Sequence, residues 1–237
     1  MAAEMNAVPR YAVYFAPDPG SALWEFGSAA IGYDAATGRD VALVPPDGWS
    51  GGDWRSATED PRRYGFHATL KAPFRLVDGQ DEPALLRALD SFAAGNAAAP
   101  LGGLKVAALG RFIALVPAGD PAPVGTLAFA AVTAFEPFRA PLSDTDRARR
   151  LAGGLSERQA TLLEQFGYPY VAEQFRFHMT LSGPLPEAER DAARLGLDQH
   201  FARLGGTGGS AVDRVALFRQ DGPQERFKIL AARQLTG

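Results

Sequence analysis

Phe66-His67-Ala68-Thr69-Leu70-Lys71-Ala72-Pro73-Phe74 is answered 111 positions later by Phe177-His178-Met179-Thr180-Leu181-Ser182-Gly183-Pro184-Leu185. Phenylalanine, histidine, threonine, leucine and proline recur at the same places. Both stretches read as β-strands, over Tyr64 to Phe74 and Phe175 to Leu181. Side chains alternate across a strand. His67, Thr69 and Lys71 therefore share one face, and Phe66, Ala68 and Leu70 the other. In the second copy Arg176, His178, Thr180 and Ser182 share a face, opposite Phe177, Met179 and Leu181. Each strand has an apolar side for a core and a polar side left for a cleft or for water.

The flanks repeat the order of elements. A β-rich run, Tyr11 to Ala16, precedes a helix capped by Ser21 and running to about Gly32. Asp34 to Pro61, dense in glycine, proline and aspartate, reads as a long loop or irregular insertion. After the first motif come a helix from Asp81 to Ala94 and strands Leu104 to Leu109 and Phe112 to Val116. A helix over Val124 to Phe135 follows, then one or two helices between Ser143 and Phe166, broken near Gly153–Gly154. After the second motif come a helix from Glu187 to Leu204, a glycine-rich loop from Gly205 to Gly209, and strands Val212 to Phe218 and Phe227 to Ala231. The closing strands echo each other as well, Arg111–Phe112 against Arg226–Phe227. Internal repetition at this scale implies related halves. The expected fold class is α+β: one domain over 1–237 with pseudo-two-fold, bilobal symmetry. Its first repeat spans about 10–117 and its second about 121–235. Two small antiparallel sheets would face a central cleft, with helices on the outer faces.

Composition narrows the chemistry. The chain has 237 residues, 24 basic and 27 acidic side chains, and no cysteine. Disulfides and thiolate chemistry are excluded. A net charge of −3 speaks against a broad nucleic-acid surface but not against a local phosphate pocket. No apolar run approaches the ~20 residues of a membrane span, and MAAEMNAVP does not read as a secretory signal. A cytoplasmic, monomeric protein with no membrane partner is expected. Three histidines and no carboxylate on either motif face leave thin material for a metal, so none is expected, nor any cofactor. No Walker loop follows Gly102–Gly103.

Two imidazoles with a threonine beside each suit phosphoryl chemistry. Opening a cyclic phosphodiester takes a base for water and an acid for the leaving sugar oxygen, on opposite sides of phosphorus. Histidine, with an ordinary pKa of about 6.5, fills either role near neutrality. A threonine hydroxyl can donate to a non-bridging oxygen. His67 and His178 are the catalytic candidates, and Thr69, Thr180, Lys71, Arg176 and Tyr168 the substrate-binding ones. His200, on a helix, reads as a surface histidine. Ser182, Tyr64 and Arg219 have readier readings in turns, packing or sheet. Arg147, Arg149 and Arg150 follow Asp144 and Asp146, as on a solvated helix face. The sharper alternative is a lid that brings an arginine to a distal phosphate.

These residues resemble the two H-x-T motifs of the two-histidine (2H) phosphoesterase superfamily, which includes RNA 2′,3′-cyclic phosphodiesterases and bacterial 2′-5′ RNA ligase-like proteins. Gly167-Tyr168-Pro169-Tyr170-Val171 and Leu217-Phe218-Arg219-Gln220 resemble one bacterial branch, associated with phosphonate-metabolism genes. The resemblance implies a metal-independent phosphodiesterase acting on a nucleotide or ribose cyclic phosphate, with His67 and His178 as acid and base in an order left open. The alternatives are a non-catalytic nucleotide or sugar-phosphate binding module, and an RNA-end-processing or 2′-5′ RNA ligase-like enzyme. RNA is the less favoured partner.

Overall fold

The computed structural model describes residues 8–205 and 211–237. The first half contributes β1 (Arg10–Phe15), α1 (Ala22–Ile31), β2 (Tyr33–Asp34), β3 (Arg39–Asp40), α2 (Gly51–Ala57), α3 (Glu59–Tyr64), β4 (Ala68–Phe74), α4 (Glu82–Ala94), β5 (Ala99–Pro100), β6 (Leu104–Leu109) and β7 (Phe112–Pro117). The second contributes α5 (Ala122–Phe135), α6 (Asp144–Leu151), α7 (Glu157–Phe166), β8 (Met179–Thr180), α8 (Glu187–Ala202), β9 (Ala211–Val212), β10 (Arg214–Gln220) and β11 (Lys228–Gln234). The mixture of helix with antiparallel strands is the α+β class expected.

Local chemistry sets the helix ends. Ser21, Ser50, Asp81, Ser143 and Ser156 each accept a backbone N–H from the first turn of the helix that follows. Gly32 and Gly167 close α1 and α7 in the left-handed conformation. The break near Gly153–Gly154 separates α6 from α7. Most of the Gly205–Gly209 stretch lies outside the described residues.

Seven strands form one antiparallel sheet in the order β11-β10-β1-β4-β8-β7-β6. The sequence led us to expect two small sheets facing each other. Instead β4 and β8, the two motif strands, lie side by side at the centre, paired at Ala68 and Met179. Strands from the two halves of the chain interleave: hairpin β6–β7 joins β8, and hairpin β10–β11 joins β1, beside β4. Alternation of residues predicts each strand's faces but not which strand lies beside it.

The apolar motif residues enter the core as expected: Phe66, Ala68, Leu70, Phe177, Met179 and Leu181 are all buried. Helix α5 packs on β4, α8 on β6, and α4 on β10 and β11. At roughly 25 cal/mol per Å2 of apolar surface buried, such residues supply the main favourable term in folding.

Two sequence expectations need correction. Asp34 to Pro61 is not an irregular loop: it holds the short ladder β2–β3 and helices α2 and α3. Trp54 anchors it, fully buried, its indole N–H donating to Ala30 O at 2.7 Å. Ser50 three positions ahead of Asp53 was a capping signal hidden by the surrounding glycines. The second motif strand is also shorter than expected. Only Met179–Thr180 has strand geometry, and a 3-10 turn at Ala172–Gln174 occupies the approach to it.

Candidate functional site

Ala68 and Met179 are direct partners, so the antiparallel register sets His67 opposite Thr180 and Thr69 opposite His178. The four polar residues form a quadrilateral on one face of the central strand pair. Histidines occupy one diagonal and threonines the other. Diagonal neighbours across a ladder are about 7–8 Å apart at Cα, so two imidazoles can flank one phosphoryl-sized group. They rise from one floor rather than from the opposed walls that two facing sheets would have given.

Each imidazole is held by its own chain two residues upstream. His67 Nδ1 lies 2.8 Å from Gly65 O, and His178 Nδ1 lies 2.8 Å from Arg176 O. A carbonyl only accepts, so both Nδ1 atoms carry hydrogen. In the neutral ring that leaves each Nε2 with a lone pair. For His67 the Thr69 hydroxyl donates to Nε2 at 3.2 Å.

Their surroundings differ. His67 stacks on Tyr14 with ring centroids 3.8 Å apart and planes 22° apart. Tyr14 is almost wholly buried and faces Thr69 across β1–β4. His178 has Phe112 as a tilted neighbour at 5.6 Å. It opens on a cleft of about 530 Å3 whose lining includes Thr69, Phe112, Tyr168, Tyr170, Arg176 and His178.

Burial disfavours the imidazolium. It pushes His67 down to about 4, offset in part by the Gly65 carbonyl and reinforced by nearby His178. Burial lowers His178 as well, with the Arg176 carbonyl opposing. In both rings the shift favours the neutral imidazole in the free protein.

The structure separates the other candidates. Tyr168 does line the cleft, with the Arg150 guanidinium 5.4 Å above its ring, and burial pushes its phenol up to about 12. Arg176 is exposed at the cleft wall, and its carbonyl rather than its guanidinium holds His178. Lys71 does not share the histidine face. Its partner across the sheet is Val13, whereas Thr69 pairs with the next residue, Tyr14, so a bulge at Leu70 shifts the alternation. Lys71 is 3% exposed, donating to Glu136 Oε2 at 2.7 Å and Val132 O at 3.1 Å.

Ser182 is fully buried and receives the Ile113 N–H, a structural role. Tyr64 stacks on Phe227. Arg219 is paired with Glu82 and Asp221. His200 lies near Asp47, 3.6 Å away, on α8. Sequence reasoning missed Gly65, whose φ is 79° and where an added Cβ would lie 2.6 Å from Ala35 Cβ, leaving no room for a side chain. It also missed Tyr14, although the alternation in Tyr11 to Phe15 could have placed that ring on the polar face. Among the described residues no group of three or more histidine, aspartate or glutamate side chains is placed to hold a metal. No helix there is long and apolar enough to cross a membrane.

Fold and motifs together define an α+β protein built around two adjacent H-x-T strands. The chain belongs to the family described as "Protein of unknown function (DUF1045)", which residues 69–228 match. Among curated proteins it is 39% identical over 225 residues to the ribose 1,5-bisphosphate phosphokinase PhnN of Janthinobacterium sp. (strain Marseille), covering 94% of this chain and 50% of that protein. It is 43% identical over 180 residues to the protein of the same name from Laribacter hongkongensis (strain HLHK9), covering 76% of this chain and 41% of that protein. The chain thus spans about half the length of the curated relatives it matches.

These relatives overturn the activity expected from sequence. Both are named as phosphokinases, enzymes that transfer a phosphoryl group, and not as hydrolases of a cyclic phosphodiester. The link to phosphonate metabolism fits them. Two histidines with threonines beside them suit hydrolysis and transfer alike, so the motif alone did not distinguish them.

Proposed function

We propose that this chain handles a phosphorylated ribose in phosphonate metabolism, on the sugar-phosphate side of a phosphoryl transfer. The observation that carries the reading is the quadrilateral of His67, Thr180, Thr69 and His178 beside an open cleft. In this reading the phosphoryl group lies between the imidazoles. Thr69 and Thr180 donate to its non-bridging oxygens, and the Nε2 atoms exchange protons with the oxygens in line. Ribose 1,5-bisphosphate, named in both relatives, is the first substrate to try. The sequence has no G-x-x-x-x-G-K-[ST] run, which favours the sugar side over the nucleotide side. The 2H superfamily remains our proposed kinship for the scaffold, with repeats at 10–117 and 121–235 related by a pseudo-two-fold; the matching motifs and closing strands support it.

Imidazole resonances followed by NMR while ribose 1,5-bisphosphate is added, with and without Mg-ATP, test the reading. His67 and His178 should both shift, and phosphorus spectra should report any transfer. Ring resonances indifferent to every ribose phosphate would refute it.

A further inference from the structure

A second pocket opens where β4 runs on past the end of the two-residue β8. Its lining includes Arg10, Arg75, Arg149, Arg150 and Tyr168. Lys71 and Arg139 also line it, but both are bound to Glu136. Of the remaining groups, four are guanidinium ions facing one carboxylate, Asp146, which pairs with Arg75 at 3.4 Å and Arg149 at 2.7 Å. Arg10 has no carboxylate partner among the described ion pairs; it donates to the neutral Gln220 Oε1 at 2.8 Å from its Nε and lies 5.4 Å from the centre of the Phe227 ring. Burial, with Arg63 and Arg75 nearby, holds its pKa below the ordinary value. Arg150 Nε is buried without a hydrogen-bond partner.

Arg75 and Arg149 stay about half exposed or more, but Arg10 is partly buried and Arg150 Nε fully so, and a guanidinium dried without a carboxylate costs free energy unless an anion sits beside it. The space is small, about 40 Å3, room for about three waters or one phosphoryl group rather than a sugar. Tyr168 and Val171 line both this pocket and the histidine cleft, so the two adjoin.

We infer that the arginine pocket seats the second phosphoryl group of a bisphosphorylated sugar whose first lies at the histidine pair. This deepens the proposed function and rests on its reading of the cleft. The Arg147–Arg150 run then reaches a distal phosphate through Arg149 and Arg150, while Arg147 stays outside, paired with Glu164 at 2.7 Å. Tyr168 stands between the two anions, its ring covered by Arg150.

Calorimetric titration tests this with inorganic phosphate, ribose 5-phosphate and ribose 1,5-bisphosphate. The wild type should bind the bisphosphate about tenfold more tightly than the monophosphate, the gain of one charged hydrogen-bonding subsite. Arg150→Gln and Arg75→Gln should erase that preference and weaken inorganic phosphate. Arg150→Lys should restore most of it, with thermal midpoints checking that each variant folds. Equal affinity of the wild type for both esters, or a preference intact in Arg150→Gln, overturns the inference. His178→Gln should weaken both esters and leave intact the part of inorganic phosphate binding that Arg150→Gln removes. If it changes nothing while Arg150→Gln still abolishes phosphate binding, the cleft reading fails and the arginine anion site survives.

Discussion

The two H-x-T motifs differ in how firmly they are built. His67 lies against Tyr14 and immediately precedes a seven-residue strand that pairs along β1 and, at Ala68, with β8. His178 immediately precedes a two-residue strand at the mouth of a cleft, after a turn in which Ala172 takes a φ of 51°. Both rings hold the same tautomer by the same bond to the carbonyl two residues upstream. What the two motifs share is the bond that orients the imidazole; what differs is the ring's neighbours, Tyr14 for His67 and Phe112 with the cleft for His178. The first motif is packed against β1, and the second lines the cleft.

Replacing either histidine by glutamine gives the largest expected effect. Transfer rates, followed by phosphorus NMR, should fall by about 100-fold or more, the usual worth of a proton-transferring group. If only one substitution does so, the motifs divide into a chemical and a binding partner.

The upstream carbonyls come next. Gly65→Ala forces a Cβ against Ala35 at a positive φ. It should cost about 1–3 kcal/mol in denaturant melts and displace the His67 ring resonances. Arg176→Ala keeps its carbonyl, so stability and the His178 tautomer should be unchanged.

Acid titration distinguishes the rings further. The unfolded chain protonates His67 near its ordinary 6.5 and the folded chain only near 4. The unfolded state therefore binds more protons within that interval, and stability falls as pH drops through it. His67→Asn should flatten this part of the stability profile. A phosphoryl dianion between the rings should reverse the shift, so binding near pH 6 should take up protons, measurable by calorimetry in buffers of different ionisation enthalpy.

The smallest effect is at the second motif's approach. Ala172→Gly should relieve left-handed strain and raise stability by about 1 kcal/mol, read from the thermal midpoint.

How much of this the sequence showed depends on the range of the interaction concerned. Caps such as Ser21, Asp81 and Ser156 act within one turn, and the helices they start were legible. The histidine and threonine face followed from strand alternation. Lys71 was misplaced because the bulge at Leu70 arises from pairing with β1, more than fifty residues away, and no local pattern carries it. The single sheet escaped for the same reason. The arginine pocket draws on Arg10, Arg75 and Arg150, which only the tertiary fold brings together. The reaction expected from sequence was overturned because a pair of histidines with threonines does not by itself distinguish hydrolysis from transfer.

The interleaved hairpins have a consequence for synthesis on the ribosome. When residue 117 has emerged, β6–β7 and β4 both exist, but the strand that lies between them is not yet made. Two open edges must wait for Met179–Thr180, and open edges recruit other chains. Cutting the chain between β7 and α5 should therefore give two fragments that associate or aggregate, rather than two independent folding units.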